Sequence, residues 1–360
     1  MIGSTSVKAP NRCTKSVAAA ETLYTICPVL VASHIAVEKG WLESELKAAG
    51  GSLKYLWSLP QENWLSHFNH TLTNQFRDGG NIPAIHARSE GKRSRLIGLT
   101  NSGDGGQILT RVHSNVNKVS DLQGRKVGLY KRAKTDRVDF WRATAERGIV
   151  LALDLAGLKP SSVEIVDILV DGPDYASSKP VANPAERFKD SGTGPNTHYG
   201  AEVEALLDGK VDAIYANRGR AHSLQRGGKI RAIEDLSRYP DWTLQVANSP
   251  YTITVSEEFA TERPELVVAY LRAAIKAGQW INGNREEAAE IFGRIIGHWS
   301  GKCALKGEIA KYDFVPNLSA RNLGGIEVEK LFLLEHGYIR NDFDVAKWVD
   351  GSFLNGALGA

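Results

Sequence analysis

The residues best suited to chemistry include a cysteine that lies directly before a proline. The chain has three cysteines, Cys13, Cys27 and Cys303, and Cys27 stands in the segment YTICPV, ahead of an apolar helical stripe. Proline is favoured at the first helical position, so the pattern predicts that Cys27 caps a helix beginning at Pro28. N–H groups at a helix start stabilise a thiolate and lower its pKa. The alternative, a small buried apolar cysteine at a strand end, stays open.

A second group of candidate residues lies in the segment SHFNHTLTNQFRDGGNIPAI. Phe68 follows His67, Arg77 comes ten residues after that histidine, and Gly79 and Gly80 precede a predicted helix start. A guanidinium presents a planar donor fork to two oxygens of an anion, and glycine-rich turns expose N–H groups that bind anions. Taken singly, these residues also suit structural roles: a solvated arginine, a hydrogen-bonded histidine, a core aromatic and a plain turn.

Length and composition exclude several classes of protein. The chain has 360 residues, 42% of them apolar and 24% charged, with a net charge of +3. This length predicts two domains. No basic cluster interleaved with aromatic residues indicates a nucleic-acid partner, and no apolar run is long enough to span a membrane. We expect a monomer without a nucleic-acid or membrane partner.

Cysteine usage and the amino-terminal residues bear on location and on metals. The cysteines are sparse and odd in number, and no secretory signal pattern is visible, so we expect a reducing, cytoplasmic location. No Cys-x-x-Cys or His-Glu-x-x-His spacing occurs. The pair His67 and His70 lacks a third ligand nearby in the sequence, so we expect neither a metal nor a cofactor.

Apolar runs alternate with helical stripes along the chain, which predicts an α/β protein. We expect strands at TLYTI and at residues 52–59, and a buried strand at 162–170. A helix is predicted over 135–148, with Thr135 as its cap. Residues 171–200 are rich in glycine, proline, serine and asparagine and show no apolar periodicity, so we expect a flexible loop or lid there.

Three segments, VSDLQGRKVGLY, LLDGKVDAIYA and RPELVVAYLRAAIKAGQWINGNREEAAEIF, resemble type II periplasmic binding proteins of the nitrate and sulfonate group. The resemblance implies two α/β lobes joined by two crossing strands, with a ligand cleft between them. Lobe one would comprise residues 20–110 and 245–360, and lobe two residues 111–244. Helix starts and loops from each lobe would point into the cleft, where their N–H groups favour anions.

A narrower resemblance involves the two chemical segments. The chain is similar to the aryl-sulfinate desulfinases, which carry Tyr-Ser-Asn-Cys-Pro, then His-Phe, an arginine ten residues after the histidine, and Gly-Gly-x-Ile-Pro. The resemblance implies that Cys27 and His67 are catalytic. It also implies a set of substrate-binding residues: Arg77, Gly80, Gly79, Thr25 and Phe68. Thr25 replaces the family serine, Ile26 the asparagine, and Asp78 an apolar residue.

The resemblance implies an enzyme that cleaves the carbon–sulfur bond of a sulfinate and releases sulfite. The Cys27 thiolate would attack sulfur, or the thiol would protonate the carbon; the sequence leaves both routes open. The alternative function is a solute-binding protein for a sulfonate or sulfinate, which would require export and would not need a thiol at the anion site. A relative of the thiamine-pyrimidine synthases would need a cysteine-rich iron motif, which three dispersed cysteines do not supply.

Overall fold

Two five-stranded sheets organise the chain. The computed structural model describes residues 19–100, 105–134, 136–170, 179–189, 198–245, 248–300, 306–307 and 309–359. The strands of its first sheet are Ala20–Ile26 (β1), Gly51–Tyr55 (β2), Gln75–Gly79 (β3), Ser94–Thr100 (β4) and Tyr251–Ser256 (β10). Those of its second sheet are Gln107–Arg111 (β5), Lys126–Arg132 (β6), Glu164–Val170 (β7), Ala213–Ala216 (β8) and Ile230–Asp235 (β9).

The strand order is β2-β1-β3-β10-β4 in the first sheet and β7-β6-β8-β5-β9 in the second, so several neighbouring strands are joined by crossover connections. In the first sheet β1 runs parallel to β2 and β3, whereas β10 is antiparallel to β3 and β4. The chain leaves the first sheet after β4 and returns to it with β10. This architecture confirms the predicted α/β fold with two sheets; the residue boundaries of the two lobes stay a prediction.

The helices cover both sheets. In the described parts of the chain they are Ala32–Glu38 (α1), Trp41–Ala48 (α2), Ser66–Asn69 (α3), Asn81–Ser89 (α4), Phe140–Leu155 (α5), Pro184–Lys189 (α6), His198–Leu207 (α7), Arg218–Gln225 (α8), Glu257–Glu262 (α9), Pro264–Gly283 (α10), Arg285–Ser300 (α11), Ala320–Glu335 (α12), Val345–Trp348 (α13) and Ser352–Leu358 (α14). None of these described helices combines the length and the apolarity that crossing a membrane requires.

The largest core lies between the first sheet and the long helix α10. Pro264 occupies the start of α10, where its missing N–H costs nothing. Buried residues then recur at helical spacing, and Tyr270 stacks on Phe76 of β3 with ring centroids 4.2 Å apart. α1 and α11 extend the same core through Ile35 and Phe292. One face of β3 is therefore covered by the packed helices α1, α10 and α11.

Several local predictions differ from the structure. α5 begins at Phe140 rather than near Thr135, because the Asp139 carboxylate accepts a hydrogen bond from the Arg142 N–H and caps it; Thr135 lies outside the described residues. The predicted strand 52–59 is shorter, since a 3₁₀ turn replaces it after Tyr55. β7 is an edge strand with Leu169 67% exposed, so it is not buried as expected.

The predicted loop at 171–200 is only partly described. Residues 171–178 and 190–197 lie outside the described residues. Between them α6 forms a helix that packs on the first core, where Phe188 is buried and the Val181 N–H donates to the Trp57 carbonyl. Sequence periodicity missed this helix because it has barely two turns.

Candidate active site

Cys27 lies immediately after β1, but it does not cap a helix. Its N–H donates to the Asp78 carbonyl on the neighbouring strand (2.9 Å), and its own carbonyl accepts from the Val29 N–H (2.8 Å). α1 begins only at Ala32, after a bend over residues 28–30. The predicted helix start at Pro28 is therefore wrong, and the thiol is positioned by pairing of β1 with β3.

Three hydrogen-bond donors surround the sulfur of Cys27. The His67 Nε2 lies 3.2 Å from Sγ, and the Arg77 Nη2 donates to Sγ at 3.3 Å. The Gly80 N–H is the third donor, and together with Arg77 it lowers the pKa of the thiol. Burial has the larger effect and raises that pKa above its usual value. The lowered pKa expected for a cysteine that caps a helix at Pro28 is thus wrong: α1 begins only at Ala32, and burial outweighs the Gly80 N–H that precedes α4.

The protonation of His67 follows from its neighbours. The Trp57 Nε1–H donates to Thr25 Oγ1 at 3.2 Å, and the same hydroxyl lies 2.7 Å from His67 Nδ1. Thr25 is fully buried, so its hydroxyl proton needs an acceptor, which Nδ1 provides. Nε2 then carries the ring proton and directs it at the Cys27 sulfur. Burial, and after it the charge of Arg77, holds the pKa of His67 well below its usual range, so the ring is neutral.

Arg77 is a buried, fully oriented guanidinium. Its Nε donates to the His67 carbonyl and its Nη1 to the Gly80 carbonyl, both at 2.8 Å. The side chain is only 1% exposed. Two of its three nitrogens are engaged by the backbone, which leaves Nη2 directed at the thiol. The expected two-oxygen fork is therefore not open in this structure; the charge is held beside the sulfur instead.

The two glycines are needed because the chain segments approach closely. A Cβ atom on Gly79, whose φ is +156°, would lie 2.2 Å from Cys27 Sγ. A Cβ atom on Gly80 would lie 2.4 Å from Asn248 Oδ1. Asn248 in turn accepts a hydrogen bond from the Ile82 N–H at the start of α4. Any side chain at either glycine would displace the thiol or the segment leading into β10.

Comparisons with known proteins show what the whole chain is similar to. No family model matches the chain. It is 28% identical over 362 residues to the 2'-hydroxybiphenyl-2-sulfinate desulfinases of Rhodococcus erythropolis and Rhodococcus qingshengii, and the match covers 93% of this chain and 93% of each relative. The resemblance to the aryl-sulfinate desulfinases is confirmed.

Solved structures give the same relationship. The desulfurization enzyme DszB superposes with a TM-score of 0.71 and 25% identity, covering 94% of this chain and 99% of DszB. A DszB C27S mutant in complex with biphenyl-2-sulfinic acid superposes with a TM-score of 0.68 and 24% identity, over 95% and 99% of the two chains. The aliphatic sulphonate binding protein SsuA from Escherichia coli, at 14% identity and a TM-score of 0.62 over 92% of both chains, shares the fold alone.

The structure shows the contacts of the three positions that depart from the desulfinase pattern. Thr25 keeps the hydroxyl that contacts His67. Ile26 is 1% exposed and belongs to the first core, so the substituted side chain faces away from the sulfur. Asp78, the strand partner of Ile26, points to the same side, where its Oδ2 accepts from Ser33 Oγ at 2.5 Å. Burial raises the pKa of Asp78 to about 7, against the Ser33 hydrogen bond and the Arg77 charge.

Phe68 contacts both His67 of the candidate site and residues at the start of α5, which packs on the second sheet. Its ring meets His67 edge-on, with centroids 4.7 Å apart, and stacks on Phe140 of α5 at 5.9 Å. The guanidinium of Arg137 lies 4.2 Å above the same ring. Phe68 therefore packs directly against His67. Trp141 lines a separate cavity beside the second sheet, with Tyr130 and the Glu202–Arg220 ion pair.

All seven predicted site residues therefore meet in one place. Sequence reasoning missed His34, Arg137 and Asn248, whose only signal is their position in the fold. Within the described residues, no group of three His, Cys, Asp or Glu side chains has the arrangement of a metal site, and His70 belongs to no such group.

Proposed function

We propose that this protein is a desulfinase that cleaves the carbon–sulfur bond of an organic, preferably aromatic, sulfinate. The net reaction takes a sulfinate and one water to the hydrocarbon and hydrogen sulfite. The observation that carries the proposal is the Cys27 sulfur placed between donors of His67, Arg77 and Gly80. An isolated structural cysteine has no use for three such donors. Similarity to desulfinases over nearly the whole chain supports the same conclusion.

Cys27 is the reacting group in this proposal, and two routes balance. In the first, the thiol gives its proton to the leaving carbon while its sulfur bonds the sulfinate sulfur, and water then hydrolyses the sulfur–sulfur bond to sulfite. In the second, the thiol protonates the carbon and water takes the SO₂ fragment directly, the resulting acid returning a proton to the thiolate. The raised pKa of the thiol provides the proton that both routes need.

His67 and Arg77 stabilise negative charge on the thiolate or the sulfinate in either route. The neutral His67 presents its Nε2–H, so it donates a hydrogen bond to the thiolate or to a sulfinate oxygen instead of removing the thiol proton. Arg77 holds a positive charge beside the sulfur in a buried site, where electrostatic attraction is strong. Gly79 and Gly80 let backbone reach the sulfinate, Thr25 fixes the His67 ring, and Phe68 packs edge-on against that ring at the border of the substrate site.

The second candidate is a solute-binding protein for a sulfonate or sulfinate, favoured by the shared fold with SsuA. The two functions differ in what happens to the ligand. A binding protein returns the sulfinate unchanged, and replacing Cys27 would alter affinity only slightly. The partly exposed Cys27 thiol beside buried His67 and Arg77 favours the enzyme, because an anion site needs N–H donors but no thiol.

The test is sulfite release from biphenyl-2-sulfinate, its 2'-hydroxy derivative and smaller aryl or alkyl sulfinates. The wild-type protein is expected to release sulfite from at least one of them, with Cys27→Ser reduced at least 1,000-fold and Cys303→Ser equal to wild type. Absence of sulfite with every sulfinate, together with unchanged ligand bound in calorimetry, would establish the binding protein. Equal activity of Cys27→Ser would refute the assigned role of the thiol.

We also propose a monomer in a reducing, cytoplasmic setting, because a reacting thiol must stay reduced. Light scattering of the purified protein should give the mass of one chain, 39.3 kDa. Cell fractionation should recover the protein with reduced thiols in the cytoplasmic fraction.

A further inference from the structure

His34 of α1 is fully buried and contacts the residue that carries the thiol. Its Nε2 lies 2.9 Å from the carbonyl oxygen of Cys27. A carbonyl oxygen only accepts, so Nε2 carries the ring proton and donates it. Burial lowers the pKa of His34 to about 4, and the ring is therefore neutral at the pH of the cell.

This histidine occupies a costly position for a core residue. Its other nitrogen, Nδ1, is buried and has no hydrogen-bond partner among the described residues. Its ring meets Phe188 and Phe292 edge-on, with centroids 6.1 and 6.3 Å away. A buried polar atom without a partner costs about 1–3 kcal/mol. An apolar side chain would fill the same space without that cost, so packing alone does not explain a histidine here.

The backbone after Cys27 explains what the imidazole supplies. In a helix that began at Pro28, the Cys27 carbonyl would accept from the Val31 N–H. Here the Val31 N–H donates to the Val29 carbonyl instead, at 3.0 Å. The Cys27 carbonyl keeps a tight bond from the Val29 N–H, and the His34 side chain supplies the second donor. On the other side, the Cys27 N–H is held by β3.

We infer that His34 is a positioning residue for Cys27. Its Nε2–H fixes the carbonyl at the turn and thereby keeps Sγ within reach of His67 Nε2 and Arg77 Nη2. The inference deepens the proposed function and rests on it for the kinetic part of its test. The thiol measurement described below does not require desulfinase activity, so the two can fail separately.

The test compares two substitutions of His34. His34→Leu keeps an apolar body and removes the donor, whereas His34→Gln keeps an N–H near the position of Nε2. We expect His34→Leu to lower kcat at least tenfold with KM changed less than threefold, and His34→Gln to recover most of the loss. Ile35→Ala is the matched control, because Ile35 is equally buried in α1 and its aliphatic side chain has no donor for the Cys27 carbonyl; its kcat should match wild type after correction for folded fraction.

The second readout is alkylation of the Cys27 peptide by iodoacetamide, followed by mass spectrometry across pH. A displaced sulfur loses the Arg77 and Gly80 donors, so its apparent pKa should rise in His34→Leu and return towards wild type in His34→Gln. The inference is overturned if His34→Leu alkylates and turns over like wild type. It is equally overturned if the Leu and Gln variants are impaired alike, since that pattern reports packing alone.

Discussion

At the scale of single residues, the site is defined by how closely other groups approach one sulfur atom. His67 Nε2 and Arg77 Nη2 stand 3.2 and 3.3 Å from Sγ, and a Cβ at Gly79 would stand 2.2 Å from it. Burial raises the pKa of the thiol while the donors lower it. The cysteine is therefore held as a protonated thiol, next to groups that stabilise the thiolate once the proton leaves.

Gly79 gives the sharpest prediction at this scale. Gly79→Ala should reduce sulfite release at least 100-fold, because the added methyl occupies the place of Sγ. Gly91→Ala is the matched control: its φ is also positive, at +80°, but its Cβ meets nothing within 4 Å. Steady-state kinetics on both variants, with circular dichroism to verify folding, separates the clash from backbone strain. Equal activities of the two variants would contradict the assigned position of the thiol.

At the scale of elements, three separate pieces of chain cooperate to orient His67. Thr25 is near the end of β1, Trp57 lies in the turn after β2, and His67 belongs to the single helical turn α3. Their hydrogen bonds run from the indole N–H to the hydroxyl and from the hydroxyl to Nδ1. The parallel pairing of β1 with β2 and β3 brings these pieces to one edge of the sheet.

This relay predicts different outcomes for two substitutions of Thr25. Thr25→Val has nearly the same shape but no hydroxyl, so Nδ1 loses its donor and the ring proton is no longer held on Nε2. We expect kcat to fall at least tenfold, which corresponds to about 1.4 kcal/mol of transition-state stabilisation. Thr25→Ser keeps the hydroxyl and should retain most of the activity. If Thr25→Val keeps wild-type kcat, the hydroxyl does not select the tautomer that acts in catalysis.

At the scale of the whole molecule, the first sheet carries a buried carboxyl group whose charge opposes folding. Asp78 is 2% exposed, its Oδ1 has no hydrogen-bond partner among the described residues, and Ser33 bonds its Oδ2. Ser33 also lies 3.0 Å from the Tyr270 hydroxyl on α10. The pKa of Asp78 is raised to about 7 from an ordinary 3.8, so the folded protein favours the protonated form.

The sign of the resulting pH dependence follows from linkage. As pH rises from about 4 to 7, Asp78 ionises in the unfolded chain before it does in the folded protein, so its contribution to stability is lost across that window. Asp78→Asn keeps a neutral acceptor for Ser33 and removes this loss. The free energy of unfolding of Asp78→Asn minus that of wild type should increase between pH 4 and 7, by roughly 4 kcal/mol at most, and stay level above pH 7.

Urea unfolding of both proteins at pH 4.5, 6 and 8 measures this difference. The pair at pH 4.5 is the reference point, because most of the window between the two pKa values of Asp78 lies above that pH. Glu329, whose pKa burial also raises to about 7, is present in both proteins and cancels from the difference. A difference independent of pH would show that Asp78 is ionised in the folded protein across the range.

Hydrophobic periodicity, which is a local property, was enough to predict the α/β fold class, and the resemblance to the desulfinases selected the seven candidate residues that the structure brings together. The prediction that Cys27 caps a helix was wrong, because the bend after Pro28 depends on hydrogen bonds from His34 and Val29 to the Cys27 carbonyl rather than on helix propensity. Only the tertiary structure decided the direction of the thiol pKa, the tautomer of His67 and the engagement of Arg77 by two backbone carbonyls. Desolvation and hydrogen bonding between distant segments set these properties, and neither is encoded in the spacing of neighbours along the chain.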